Sequence, residues 1–139
     1  MFKRILVPLD LSDKHERALG IAATLANQDS ASVFLFHVVE TIPGLTVAEE
    51  KDFYSRLERT AQAHLRRSAR SLQRRGVGCR TKVSLGHRVR ETAQFAKRVK
   101  ADLIILTAPP FDRSHPVGGL GSMSWKIGMV APCPVLLVK

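Results

Sequence analysis

Five short, mainly apolar runs divide the chain, and each stops at a proline, a glycine or a polar residue. They lie at residues 2–7, 33–39, 79–85, 103–106 and 135–138. The second, fourth and fifth are apolar at nearly every position instead of every second one, while the third is the most polar. Continuous apolar strands are typical of parallel sheets that helices cover on both faces.

Segments with helical spacing separate these runs. Ser12 can cap a helix that extends to about residue 27. Thr46 and Glu49 match a capping box that opens a long helix ending near Arg75, before Gly76 and Gly78. A third helix is predicted over residues 89–99. A fourth begins near Gly121–Ser122 and ends before Pro132.

The strand–helix alternation predicts a doubly wound α/β domain of flavodoxin size, with residues 1–139 forming a single domain. The chain has 139 residues, 45% of them hydrophobic, which suits one compact core. No apolar run approaches the roughly 20 residues that cross a bilayer. The two cysteines, Cys79 and Cys133, match neither a disulfide framework nor a metal motif, and we expect a cytoplasmic protein with no membrane association.

Positive charge is concentrated in the middle of the chain. The net charge is +10, and residues 51–100 hold fifteen Lys or Arg against three acids. Seven arginines fall on the predicted long helix and give it a broad basic face: Arg56, Arg59, Arg66, Arg67, Arg70, Arg74 and Arg75. Such a face attracts nucleic acid or an acidic protein, although a solvated helix surface is the favoured explanation.

Ligands of open parallel sheets bind beyond the carboxyl ends of the strands. Asp10 follows the first strand, and Gly121–Ser122 opens the last helix after the fourth. A carboxylate can accept hydrogen bonds from a ribose or an amine, and a helix N-terminus can hold a phosphate. The alternative is structural: Asp10 and Ser12 cap one helix, and Ser122 caps another.

Four segments carry a resemblance to a known family: ILVPLDLS, FLFHVVE, ADLIIL and the terminal GSMSWKIGMVAPCPVLLVK. In this order and spacing the chain resembles the universal stress protein family over its whole length. The resemblance implies a parallel sheet of strand order 3-2-1-4-5. It also implies a homodimer joined through the last strand, and a stress-response function without catalysis. One branch of that family binds ATP and another does not.

The ATP-binding branch carries the motif G-x₂-G-x₉-G-[ST] after the fourth strand. This chain retains only its end, Gly121–Ser122. The two earlier glycines are replaced by Ala108 and Phe111 when counted back from Gly121, or by Thr107 and Pro110 when counted from the strand. Side chains there crowd the phosphates, and the prolines Pro109 and Pro110 remove N–H donors. Gly118, Gly119, Arg113 and His115 could form another anion site in the same loop.

The nucleoside side of the family's site is better preserved. The resemblance assigns the base and ribose to Pro8, Asp10 and Val38, and the phosphate to the N–H groups of Gly121, Ser122 and Met123. Leu106 and Thr107, at the end of the fourth strand, complete the candidate set. The expected ligand is ATP or another adenine nucleotide, such as AMP or a cyclic mononucleotide. The competing hypothesis is a family member that binds no nucleotide and acts through its basic helix on nucleic acid or an acidic protein.

Three further residues carry expectations of their own. His37 lies in a buried strand and is expected to bond to the backbone. Cys133 is expected to be buried and unreactive, since no histidine is near it in sequence. Trp125 is expected to pack from the last helix onto the sheet.

Overall fold

One five-stranded parallel sheet organises the computed structural model, which describes residues 1–139. The strand order is β3-β2-β1-β4-β5, as the resemblance implied, and the predicted doubly wound α/β fold is confirmed. The elements, in chain order, are β1 (Arg4–Pro8), α1 (Glu16–Asp29), β2 (Ser32–Glu40), α2 (Lys51–Arg74), β3 (Gly78–Gly86), α3 (Arg88–Arg98), β4 (Leu103–Thr107), α4 (Met123–Val130) and β5 (Val135–Val138).

The helices cover the two faces of the sheet in pairs. On one face, side chains of α1 and α2 such as Ala22 and Leu65 pack against strand residues such as Ile5 and Leu35. On the other face, Phe95 of α3 and Ile127 of α4 pack against the sheet. Burial on both faces explains why the central strands β1, β2 and β4 are apolar throughout.

The long helix α2 shows the spacing that places one face on the sheet. Its buried residues are Tyr54, Ala61, Leu65, Ala69 and Leu72, at intervals of three, four or seven. The helix stops because Gly76 adopts φ +79°, a left-handed conformation that glycine takes without strain.

Two predicted helix starts are wrong, one by three residues and the other by four. The helix α1 begins at Glu16, not directly after Ser12, because Asp10 accepts hydrogen bonds from the Ser12 N–H and hydroxyl and holds the segment in a turn. The helix α2 begins at Lys51. Thr46 does accept from the Glu49 N–H at 3.2 Å, but that contact belongs to a turn preceding the helix.

Other boundaries differ by one or two residues. The strand β1 starts at Arg4 and includes Pro8, which stands opposite Phe36 of β2. The helix α4 starts at Met123, and Ser122 is its N-cap, as the structural alternative for Ser122 predicted. The carboxyl ends of β1, β2 and β4 therefore meet the N-terminus of α4 at one edge of the sheet.

Candidate functional site

A cavity of about 90 Å³ lies at the carboxyl ends of β1, β2 and β4, where α3 and α4 cover the sheet. Six of the eight residues predicted from the sequence line it. They are Pro8, Asp10, Val38, Leu106, Thr107 and Met123. We call this space the Asp10 cavity. It brings together residues from five separate elements and the loop after β1, as expected for a ligand site at the strand ends.

The remaining two candidates lie outside the Asp10 cavity. Ser122 lines a neighbouring cavity formed by the loop after β4, and Gly121 lines neither of the two. Ser124 lines both cavities. The two spaces are therefore adjacent, with the start of α4 between them.

Asp10 is the most firmly positioned polar group of the site. Its Oδ1 accepts from the Ser12 N–H at 2.9 Å, from the Ser12 hydroxyl, and from Nε2 of His15 at 2.6 Å. Burial alone would raise the pKa of this carboxyl, but the hydrogen bonds from Ser12 and His15 outweigh it and hold the pKa well below its usual range. Asp10 is therefore ionised at neutral pH. Its second oxygen, Oδ2, has only the distant Lys14 ammonium, at 3.8 Å.

His15 connects Asp10 to Thr107. Its other ring nitrogen, Nδ1, lies 2.7 Å from the Thr107 hydroxyl. Because an ionised carboxylate only accepts hydrogen bonds, Nε2 carries the proton and a neutral ring accepts at Nδ1 from Thr107. The Thr107 hydroxyl then offers only lone pairs to anything else it meets.

Four polar residues that line the cavity were not among the residues predicted from the sequence: His15, Arg88, Thr92 and Ser124. The His15 signal was hidden by the misplaced start of α1, since the ring precedes the helix and faces Asp10. Arg88 is the one Lys or Arg of the lining, and its Nε donates to Glu40 at 3.0 Å. Thr92 interrupts an apolar stripe on α3, and this single polar position is the sequence feature that could have identified it.

A larger cavity of about 460 Å³ lies beneath the loop after β4, and we call it the loop cavity. The sequence suggested an alternative anion site in this loop. Three of its four residues, Gly118, Gly119 and His115, line the loop cavity, but Arg113 does not. A Cβ at position 118 would lie 3.1 Å from the His115 carbonyl oxygen, a close approach that glycine avoids.

The loop cavity offers mixed charge. Asp112 lines it, and hydrogen bonds from the Ser114 N–H and the His115 ring hold the pKa of that carboxyl below its usual value. Lys139 is the one Lys or Arg in the lining, and Phe111, 68% exposed, adds an aromatic ring. A polyphosphate would therefore meet one cation and one carboxylate here.

The start of α4 provides fewer free donors than the sequence suggested. The Ser122 N–H donates to the Gly119 carbonyl at 3.1 Å, and the Ser122 hydroxyl accepts from the Trp125 N–H at 3.2 Å. The N–H groups of Gly121 and Met123 carry no such bond. A phosphate at this helix terminus would use those two donors first.

The three separate expectations have different outcomes. His37 is buried and its Nδ1 lies 2.7 Å from the Leu9 carbonyl oxygen, which confirms the backbone contact. Trp125 is 42% exposed and lines the loop cavity, so its predicted packing on the sheet is wrong. Cys133 is half-buried against the α3–α4 face, and burial together with Asp102 raises the pKa of its thiol.

All seven arginines predicted for the long helix are exposed to solvent, six of them within α2 and Arg75 as its C-cap residue. None of them forms an ion pair with an acidic side chain within 4.0 Å. The surface they form, which we call the α2 basic face, is therefore uncompensated positive charge.

No group of three or more His, Cys, Asp or Glu side chains is arranged to hold a metal ion. No helix combines the length and apolar character needed to cross a bilayer.

The structure is an open α/β fold with a cavity at the carboxyl ends of its strands. The family model described as the universal stress protein family matches residues 1–139, and the chain belongs to that family. A universal stress protein of Thermus aquaticus is 34% identical, with 100% of both chains covered.

Solved structures show the same fold. A universal stress protein from Lactobacillus plantarum superimposes with a TM-score of 0.80 at 25% identity, covering 99% of this chain and 97% of that one. A universal stress protein from Archaeoglobus fulgidus, solved in complex with dAMP, gives a TM-score of 0.74 at 19% identity, covering 99% and 98%. The second likeness is one of fold alone.

Proposed function

We propose that residues 1–139 act as one domain that binds an adenine nucleotide without turning it over, with the nucleoside in the Asp10 cavity. The observation that carries the proposal is the geometry of Asp10. Its Oδ1 is fully engaged by Ser12 and His15, and its Oδ2 is left for a ligand donor such as a ribose hydroxyl. The related fold from Archaeoglobus fulgidus solved with dAMP supports this ligand class.

The apolar part of the lining suits the faces of a purine base. Val38, Leu106 and Met123 contribute to it from three elements. Its volume of about 90 Å³ is small for a whole nucleoside, so we place the base inside and the sugar at the mouth. Arg88 supplies a positive charge beside the same cavity.

We further propose that a mononucleotide such as AMP is preferred over ATP. The terminal phosphates of ATP would extend into the loop cavity, which Pro109, Pro110 and Phe111 line in place of motif glycines and free N–H donors. The ionised Asp112 opposes additional negative charge there. A single phosphate needs only the free N–H groups near the start of α4.

Isothermal titration calorimetry with AMP and ATP tests this proposal. The unsubstituted protein should bind AMP at least as tightly as ATP, and Asp10→Ala should abolish binding of both. Asp13→Ala is the matched control, because Asp13 is an exposed carboxylate of the same loop that does not line the Asp10 cavity. An Asp10→Ala protein that binds AMP as the Asp13→Ala protein does would refute the assignment.

A second candidate function uses the α2 basic face. Seven exposed arginines without acidic partners would attract an anionic polymer, either nucleic acid or an acidic protein. This function needs no nucleotide and is compatible with an Asp10 cavity that never fills.

We also propose a homodimer formed through β5. The Ile104 N–H donates to the Pro134 carbonyl and the Ala108 N–H to that of Val138, so the intervening Val135 and Leu137 turn their backbone groups to the free edge. An unpaired edge with exposed apolar side chains is suited to pairing with another strand.

We propose the cytoplasm as the location of the protein. The two cysteines form no disulfide, which fits a reducing compartment.

A further inference from the structure

The hydroxyl of Thr92 is buried without a hydrogen-bond partner. Thr92 is 1% exposed, and its Oγ1 is the one buried side-chain nitrogen or oxygen in the protein that makes no hydrogen bond. A helical threonine commonly bonds the carbonyl four residues earlier, which here belongs to Arg88, but this bond is not made. Unpartnered buried polar groups are rare in folded proteins because they cost free energy.

Thr92 is placed where a ligand would reach it. It lines the Asp10 cavity from α3, on a helical stripe that otherwise holds Val89, Ala96 and Val99. The same lining includes the apolar Phe36 and Ile127, whose side chains offer no hydrogen-bond partner. A valine would fit such a stripe better, so the hydroxyl is unfavourable for folding alone.

The two threonines of the cavity differ in what they can offer. When the His15 ring is neutral, the Thr107 hydroxyl donates to its Nδ1, and Thr107 then presents only acceptor lone pairs. The Thr92 proton has no acceptor in the protein and is free to be donated. The cavity therefore has an uncommitted donor on α3.

We propose that Thr92 is a specificity-determining residue that donates a hydrogen bond to a ring nitrogen of the bound purine base. This inference rests on the proposed function, because it takes the base to lie in the Asp10 cavity. In the free protein a water molecule can satisfy the hydroxyl. A base that displaces this water must replace its bond or lose affinity.

Calorimetry with AMP on Thr92→Val and Thr92→Ser tests the role of the hydroxyl. The valine variant keeps the shape and removes the hydroxyl, whereas the serine variant keeps the hydroxyl. Thr92→Val should bind AMP about tenfold more weakly, and Thr92→Ser should bind close to the unsubstituted protein. The ligand-free melting temperature of Thr92→Val should not fall, since no protein hydrogen bond is removed.

The ring nitrogen is identified with AMP analogues in which one ring nitrogen at a time is replaced by carbon. For the unsubstituted protein, one analogue should bind more weakly than AMP. For Thr92→Val, the same analogue should bind as tightly as AMP. This non-additivity is the signature of a direct contact.

The outcomes separate the inference from the proposed function. If the unsubstituted protein binds AMP and Thr92→Val binds it equally well, Thr92 has no such role while the proposed function stands. If Thr92→Val weakens binding but no analogue shows the coupling, the bond to a ring nitrogen is refuted. If the unsubstituted protein binds no adenine nucleotide, the proposed function fails and the inference falls with it.

Discussion

The Nε2 atom of His15 lies 2.6 Å from Oδ1 of Asp10, although the two residues belong to different local structures. Asp10 lies in the turn after β1, and His15 is the N-cap position of α1. The contact fixes the rotation of the carboxylate, and the contact of Nδ1 with Thr107 fixes the ring in turn. Asp10 is thereby oriented before any ligand arrives, which lowers the entropic cost of binding.

His15→Ala tests whether this contact sets the state of Asp10. Removing the ring takes away one of the hydrogen bonds that stabilise the ionised carboxylate, so the pKa of Asp10 should rise toward its ordinary value of 3.8. AMP affinity should fall by about tenfold because the carboxylate is no longer held. The carboxyl ¹³C chemical shift of Asp10, followed by NMR as pH is lowered, measures the pKa.

His15→Gln is the matched control for this substitution. Its amide can donate to Asp10 and accept from Thr107, so it retains both roles of the neutral ring. We expect its Asp10 pKa to stay nearer that of the unsubstituted protein. An Asp10 pKa that is the same in His15→Ala and in the unsubstituted protein would show that the contact contributes nothing.

His37 should make the protein less stable in mild acid. Burial lowers the pKa of its ring below 6.5, and this effect outweighs the hydrogen bond to Leu9. The unfolded chain therefore binds the proton more readily, so the free energy of unfolding falls as pH drops through about 6.5. His37→Asn does not titrate and keeps an N–H for the Leu9 carbonyl, so its stability should fall less over that interval.

Urea denaturation between about pH 7.5 and 5.5 measures the difference, since every other histidine is common to both proteins. Equal losses of stability in the two proteins would mean that His37 is protonated in the folded state as easily as in the unfolded one.

The α2 basic face should bind nucleic acid in a strongly salt-dependent manner if the second candidate function holds. Replacing Arg66, Arg67 and Arg70 by glutamine should weaken binding of a fluorescent RNA. The slope of log K against log salt should become shallower by about 0.9 per lost duplex phosphate contact and about 0.7 per lost single-strand contact. Fluorescence anisotropy at several salt concentrations gives both quantities.

The control for this triple variant removes the same charge elsewhere. Lys97, Arg98 and Lys100 are exposed at the end of α3 and are replaced by glutamine together. Binding that falls equally in both triple variants would indicate attraction by net charge alone, and the α2 basic face would have no special role.

Leu136→Lys should convert the proposed dimer to a monomer. Leu136 is 38% exposed on the edge strand β5, and a lysine there is a common natural protection against edge pairing. Size-exclusion chromatography with light scattering should give a dimer mass for the unsubstituted protein and a monomer mass for the variant, with circular dichroism unchanged. A monomer mass for the unsubstituted protein would contradict the β5 interface.

The fold could be predicted from the sequence because its strands are buried on both sides. Runs such as residues 33–39 and 103–106 have no polar face, and this alone indicates a parallel sheet between helices. The strand order came from the resemblance, since hydrophobic pattern does not specify which strands are neighbours. The start of α1 was missed because Ser12 bonds to Asp10 instead of capping the helix, a competition between turn and cap that the sequence does not resolve.

Site residues that follow the ends of strands could be predicted from the sequence, whereas those that lie on helices could not. Asp10 and Thr107 could be placed from their positions after β1 and at the end of β4. Thr92 could not, because its role depends on the rotation of α3 against the sheet. The donors of the loop after β4 were also unpredictable, since the Ser122 N–H is engaged by Gly119 through the fold of that loop.

A crystal structure of the protein grown with excess AMP tests the central claim most directly. We predict electron density for a purine base in the Asp10 cavity, with a polar contact to Oδ2 of Asp10 and the phosphate near the Met123 N–H. Density for AMP at another surface, or an Asp10 cavity without nucleotide density at saturating AMP, would contradict the account and leave the α2 basic face as the better candidate for function.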